Sequence, residues 1–188
     1  MGLVENRIQE SVDTKKRILE KPELINQIYL AGNMVRTALE NGNKILLCGN
    51  GGSASDSLHI AGELVGRFQK ERRPLPALAL TGDAVAMTAL SNDYSYEDAF
   101  ARQTEGLMQS GDILIGLSTS GNSENVYRAL IKAREVGGKT IALLGKAGGK
   151  IKDISDLSII VPSDNTARIQ ESHILIGHII CEIVEEMF

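Results

Sequence analysis

Apolar positions along the first forty residues recur at helical spacing. Ile8, Val12, Ile18 and Leu19 make one stripe, and Leu24, Ile25, Ile28, Val35 and Leu39 make a second. Pro22 divides the two, and Asn41-Gly42 is a helix stop. The rhythm then changes. Uninterrupted apolar runs at 44–48 (KILLC), 77–80 (ALAL), 113–117 (ILIGL), 140–144 (TIALL) and 157–161 (LSIIV) read as strands. Helical stretches at 53–66, 84–108, 122–136 and 148–153 separate them, and 166–187 reads as a long, strongly apolar helix. Strands that are apolar throughout and spaced by helices predict a parallel sheet covered on both faces. The expected architecture is α/β: one three-layer domain over residues 1–188, with a five-stranded parallel sheet and residues 1–42 as a helical N-terminal extension.

At 188 residues the chain suffices for one domain with a sizeable core and is too short for two ordinary ones. A formal net charge of −4 leaves no electrostatic footprint for nucleic acid or an anionic membrane. There is no apolar run of about 18 residues for a membrane span, and the start MGLVENRIQE lacks the pattern of a signal peptide. Cys48 and Cys181, the only two cysteines, sit in apolar stretches and read as reduced core thiols. A cytoplasmic protein is expected.

Doubly wound sheets bind ligands beyond the carboxyl ends of their strands. Two strand ends here are small, polar and glycine-rich: Cys48-Gly49-Asn50-Gly51-Gly52-Ser53 and Ser118-Thr119-Ser120-Gly121-Asn122-Ser123. Each precedes a helix, whose N-terminus offers N–H groups and a positive dipole end. The hydroxyls of Ser118, Thr119, Ser120 and Ser123 add donors without charge. One such turn is usually only a loop with a cap, but two at corresponding strand ends point to a phosphate. Gly49-Asn50-Gly51-Gly52-Ser53-Ala54 also fits the dinucleotide fingerprint. The acidic residue that fingerprint needs about 20 residues on is poorly matched by Asp83, which disfavours a dinucleotide.

The chain has three histidines. His59 lies four residues before Glu63, so the two share one helix face. A pair at this spacing is often a solvated surface pair, yet Leu58, Ile60, Leu64 and Val65 leave little polar surface around it. His178 stands in the apolar run 174–180, either as a satisfied core residue or as a polar group in a cleft between subunits.

The segments CGNGGSASDSLHIAGEL, ALSNDYSYED, LIGLSTSGNSENV and VPSDNTARIQESHILIGH together resemble the sugar-isomerase (SIS) fold, a flavodoxin-like architecture. More narrowly they resemble the phosphoheptose isomerase family, over nearly the whole chain. STSGNS alone indicates only a phosphosugar-binding SIS domain. The set His59, Glu63, Gln170 and His178 is far more specific. The resemblance implies that these four surround a zinc ion and that Glu63 and His178 are the acid–base pair. It places substrate contacts at Asn50, Gly51, Gly52, Ser53, Glu63, Asn92, Asp93, Ser118, Thr119, Ser120, Ser123 and Gln170. It further implies interconversion of sedoheptulose 7-phosphate and D-glycero-D-manno-heptose 7-phosphate, the first step of bacterial heptose biosynthesis for lipopolysaccharide or capsule. A homotetramer with sites shared between subunits is the implied assembly.

That chemistry needs a base beside the carbon and a donor at the carbonyl oxygen, roles that suit Glu63 and His178. If Glu63 also binds zinc, its basicity falls. Gln170 and His178 are eight residues apart, about 12 Å along a helix. Either the last helix begins after Gln170, or the two ligands come from different subunits. Rival readings are a non-catalytic SIS module that associates with the replication initiator, and an isomerase of a hexulose or pentose phosphate. Glu63, whose counterpart the binding modules replace, favours the enzyme.

Overall fold

The computed structural model describes residues 2–188. Helices α1 (Leu3–Leu19) and α2 (Pro22–Glu40) lead into β1 (Ile45–Gly49), α3 (Gly52–Val65), β2 (Ala77–Ala79), α4 (Ala84–Asp93) and α5 (Ala99–Leu107). Then come β3 (Ile113–Ser118), α6 (Glu124–Glu135), β4 (Lys139–Gly145), β5 (Leu157–Val161) and α7 (Thr166–Glu185). All strand pairs are parallel, in the order β2-β1-β3-β4-β5. Strand side chains alternate between two cores. Ile45, Leu47, Ile113, Ile115, Leu117, Ile141 and Leu143 join residues of α2, α3 and α7. Leu46, Cys48, Leu114, Ala142 and Leu144 join Phe100, Val126, Ala129 and Leu130 from α5 and α6. Both faces being covered is why the strands lack polar alternation. Burial pushes both free thiols, Cys48 and Cys181, up to about 12.

Two expected helices are corrected. The stretch 84–108 is not one helix but α4 and α5. Between them the Ser95 hydroxyl donates to Asp98 Oδ2 at 2.8 Å and accepts the Asp98 N–H at 3.2 Å. Such local side-chain bonds give the backbone an alternative to the helical ladder. The stretch 148–153 holds only one 3₁₀ turn, Ile151–Asp153, because Gly148 and Gly149 before it have φ of 82° and 53°.

The N-terminal helices differ from each other. In α2, Ala31, Val35 and Leu39 are buried, and a Cβ on Gly32 would lie 2.6 Å from Ile183 Cδ1, so α2 packs tightly on α7. On α1 only Ile18 of the apolar stripe is buried, while Ile8, Val12 and Leu19 stay exposed.

The strand order reverses direction between β1 and β3, which makes their carboxyl ends the ligand crevice of a sheet of this type. Helices α3 and α7 lie side by side on one face. A Cβ on Gly52 would meet the Gln170 amide at 2.4 Å, and one on Gly177 would meet Ile60 Cδ1 at 2.5 Å. The two helices therefore run in step, 52 against 170 and 60 against 177.

Candidate active site

The two glycine-rich loops flank the crevice. Gly51, φ 57°, is the N-cap of α3, and its backbone angle suits glycine because it has no Cβ. Neither Gly51 nor Ser123, the N-caps of α3 and α6, makes a side-chain cap bond, while Asn125 Oδ1 accepts the Val126 N–H in the first turn of α6 at 3.0 Å. Helix starts can offer N–H groups to an anion; in α3 those of Ser53 and Ala54 turn back to the Asn50 and Gly51 carbonyls. The Ser123 hydroxyl instead pairs with that of Ser118 at 2.9 Å. The Gly121 N–H donates to Ser118 Oγ at 3.2 Å, and the Asn122 N–H to Ser120 Oγ at 3.1 Å. Gly121 has φ 68° and packs so closely on the 148–149 backbone that a Cβ would lie 2.0 Å from the Gly148 oxygen. Thr119 and Ser120 are half-buried in the same turn. The nearby Lys150 ammonium is engaged by Glu124.

Asn50 and Asn125 exchange amide hydrogen bonds of 2.8 and 2.9 Å, tying the first loop to the start of α6. The Tyr96 hydroxyl donates to Asn50 Oδ1 at 2.6 Å. The sequence reading missed Asn125 and Tyr96. The adjacency of Asn125 to STSGNS was a signal for the first; nothing local marks the second. Ser53 is buried, and its carbonyl accepts the Ser57 hydroxyl. Asn92 and Asp93 are exposed at the end of α4 and pair with each other at 2.9 Å.

Farther along α3, His59 Nε2 lies 3.0 Å from Glu63 Oε1 and 3.4 Å from His178 Nε2. One donor atom from each of the three falls within 4.8 Å of the others, a group that could hold a metal ion. The pairing follows from packing. Gly177, just before His178, lets α7 close onto Ile60, just after His59, so the two imidazoles meet edge to face at 5.0 Å. Phe68, another residue the sequence reading missed, stacks on His178 at 5.1 Å. The Glu63 side chain is 24% exposed and that of His59 48%, so the cluster faces a surface.

Helix α7 begins at Thr166, so Gln170 and His178 both lie within it, and the first of the two alternatives for their spacing is excluded. His178 joins His59 and Glu63 of its own chain, whereas Gln170 lies at Gly52, among the loops. His173, the third histidine, is structural. It is fully buried, donates from Nε2 to the Leu144 carbonyl at 3.0 Å, and is pushed by burial down to about 4.

The pattern of the family described as "SIS domain" matches residues 8–145. The phosphoheptose isomerases of Nitratiruptor sp. and Aquifex aeolicus are 57% and 54% identical to this chain, each over 98% of it, with 98% and 95% of their own lengths covered. The solved structure of the phosphoheptose isomerase from Neisseria gonorrhoeae matches with a TM-score of 0.92 at 40% identity, covering 97% of both chains.

Proposed function

The chain belongs to the phosphoheptose isomerases of the SIS-domain family, and from that membership we propose that it interconverts sedoheptulose 7-phosphate and D-glycero-D-manno-heptose 7-phosphate. The reaction is an aldose–ketose isomerisation. The observation that carries it is the meeting of Glu63 and His178 beside His59 within one chain. The Glu63 carboxylate removes a proton from the carbon next to the carbonyl, while His178 gives one to the carbonyl oxygen, leaving an enediol. His178 then takes the proton of the other hydroxyl as Glu63 returns its own to the adjacent carbon. The loop hydroxyls of Ser118, Thr119, Ser120 and Ser123, with the N-terminal ends of α3 and α6, hold the phosphate. Asn50, Gly51, Gly52, Ser53, Asn92, Asp93 and Gln170 complete the sugar contacts.

His59, Glu63 and His178 would hold a zinc ion. Two imidazoles and a carboxylate are ordinary zinc ligands, and their 3.0 and 3.4 Å spacings are near the edge of about 3.3 Å of a tetrahedron with bonds of about 2 Å. When bound, zinc supplies Lewis-acid stabilisation of charge on the substrate's oxygens.

The assembly we propose is a homotetramer with shared sites. Gly52 and Glu63 are eleven residues apart on α3, about 16 Å along its axis. An extended seven-carbon phosphate spans only about 10 Å, from carbon–carbon bonds of about 1.5 Å. That difference favours loops and cluster from different chains for each substrate molecule, in which case Gln170 would approach the zinc from the chain that supplies the loops. The exposed apolar residues Val4, Ile8, Val12 and Leu19 on α1, and Ile25, Tyr29 and Leu30 on α2, supply surface for the contacts. None of the described helices is long and apolar enough to cross a membrane, and two reduced core thiols suit the cytoplasm.

The test is direct. The purified protein is expected to turn over sedoheptulose 7-phosphate but not sedoheptulose, to carry zinc at about one ion per chain, and to scatter light as a tetramer. Failure to isomerise the heptulose phosphate, with turnover of a hexulose or pentulose phosphate instead, would replace the substrate. No turnover of any would leave the binding-module reading.

A further inference from the structure

Glu185 is an acid near the end of an apolar helix, with its side chain only 2% exposed. Its carboxylate accepts the backbone N–H groups of Phe68, Gln69 and Lys70 at 2.9, 2.8 and 2.9 Å, and Arg72 Nε at 3.0 Å. Burial alone would raise its pKa, but these four donors outweigh that and hold it below the usual carboxylate range. The Arg72 side chain is fully buried. Its other N–H groups reach the carbonyls of Glu63, Leu64, Gly66 and Arg73 at 2.8, 2.9, 3.1 and 3.2 Å. Glu63 and Leu64 are in the last turn of α3, where carbonyls lack a helical partner. One buried ion pair thus joins the end of α7, the segment 66–73 and the backbone of Glu63.

That segment carries Phe68 to His178. The two rings are 5.1 Å apart and 20° from parallel, with His59 edge-on at 5.0 Å on the same imidazole. Phe68 lies in neither helix nor strand; the Glu185 carboxylate on its N–H and its packing against the core hold it in place. A buried ion pair adds little net stability over apolar residues of the same volume, but this one also satisfies backbone N–H and carbonyl groups of 63–73 and so fixes that segment's path.

We propose that Phe68 is a positioning residue for His178, held over the imidazole by the Glu185–Arg72 pair. The clamp sets the orientation of the proton donor and, through the Glu63 carbonyl, the end of the helix that carries the base. It rests on the acid–base role of His178 proposed above, and it adds a residue that touches neither substrate nor ion. A stacked pair contributes enough that losing it should lower kcat about three- to tenfold.

The experiment compares wild type with Phe68→Leu, Phe68→Tyr, Glu185→Gln and His178→Gln, using sedoheptulose 7-phosphate and NMR of the labelled histidine rings. Phe68→Leu is expected to lower kcat with KM within about twofold, and to shift the His178 ring protons as the ring current is lost. Phe68→Tyr should restore both. Glu185→Gln should move the same resonance and increase amide exchange across 67–70. An unchanged kcat in Phe68→Leu, or an unshifted His178 signal, overturns the clamp even if His178→Gln is dead. An active His178→Gln instead removes the acid–base reading on which the clamp depends.

Discussion

At one end of the α3–α7 pair, Gln170 lies over Gly52 beside two loops held by their own backbone and hydroxyl bonds. At the other end, His59, Glu63 and His178 meet because Gly177 lets one helix close on the other. The phosphate loop at the first end, 118–123, is built from residues near in sequence, and each of its hydroxyls has a substitute a few residues away. The second joins positions 119 residues apart. Its three ligating atoms have no substitutes nearby, and their geometry depends on Gly177. Loss of a group should therefore be graded at the loop end and abrupt at the cluster end.

The sharpest break is Glu63→Gln. The change keeps the shape of the side chain and removes the carboxylate that would accept a proton. A positioned acid–base group contributes about 10²–10⁴-fold, so kcat should fall by that order with folding and assembly unchanged. Turnover within about threefold of wild type would take Glu63 out of the role of base.

Gly177→Val tests whether the close approach makes the cluster. A Cβ there would lie 2.5 Å from Ile60 Cδ1 and 2.6 Å from Cγ1, and Ile60 is buried. Overpacking of this kind costs about 1–3 kcal/mol, read from the denaturant midpoint. A displacement of about 1 Å at the imidazole would cost about 10²-fold in rate. Stability lost with the rate intact would mean that the cluster does not need the approach.

At the loop end the effects are smaller. If the loop holds the phosphate as proposed, Ser120→Ala and Ser123→Ala each remove one donor to a charged group, and each should weaken substrate binding by about 1 kcal/mol or somewhat more, roughly fivefold in KM. An unphosphorylated sugar that competed as well as the phosphorylated one would remove these loops from the phosphate.

The same contrast governs what the sequence could tell. The loops were legible because their chemistry is local: strand, small residues, hydroxyls, helix start. Apolar runs located all five strands to within a residue or two, since both faces of the sheet are covered. The break between α4 and α5 escaped periodicity because it is a local turn, from Tyr94 with its non-helical backbone to the Ser95–Asp98 bonds, inside an apolar rhythm that continues across it. His59 and Glu63 could be paired from their spacing, but nothing in the pattern of residues brings His178 to them; only the family resemblance did. Tyr96, Asn125 and Phe68 reach the site by contacts of the fold, across 46, 75 and 110 residues to Asn50 and His178. No motif carries such contacts.

The smallest expected effect is a null, and it separates the two ends most cleanly. Chains carrying Glu63→Gln and chains carrying His178→Ala can be tagged differently, unfolded together and reassembled. His59, Glu63 and His178 come from one chain, so no mixed assembly contains an intact cluster, and activity should not recover. A second mixture pairs Glu63→Gln with a chain lacking the hydroxyls of Ser118, Ser120 and Ser123. Three lost donors at about 1 kcal/mol each would leave that chain's own loop about 10²-fold weaker for substrate. Here one chain keeps a whole loop and the other a whole cluster. If the loops of one subunit serve the cluster of the next, some mixed sites receive both, and activity at low substrate should return in part. Recovery in the first mixture would separate Glu63 from His178. Failure of the second, with mixed assemblies demonstrated by both tags, would mean that each chain's loops serve its own cluster despite the distance along α3.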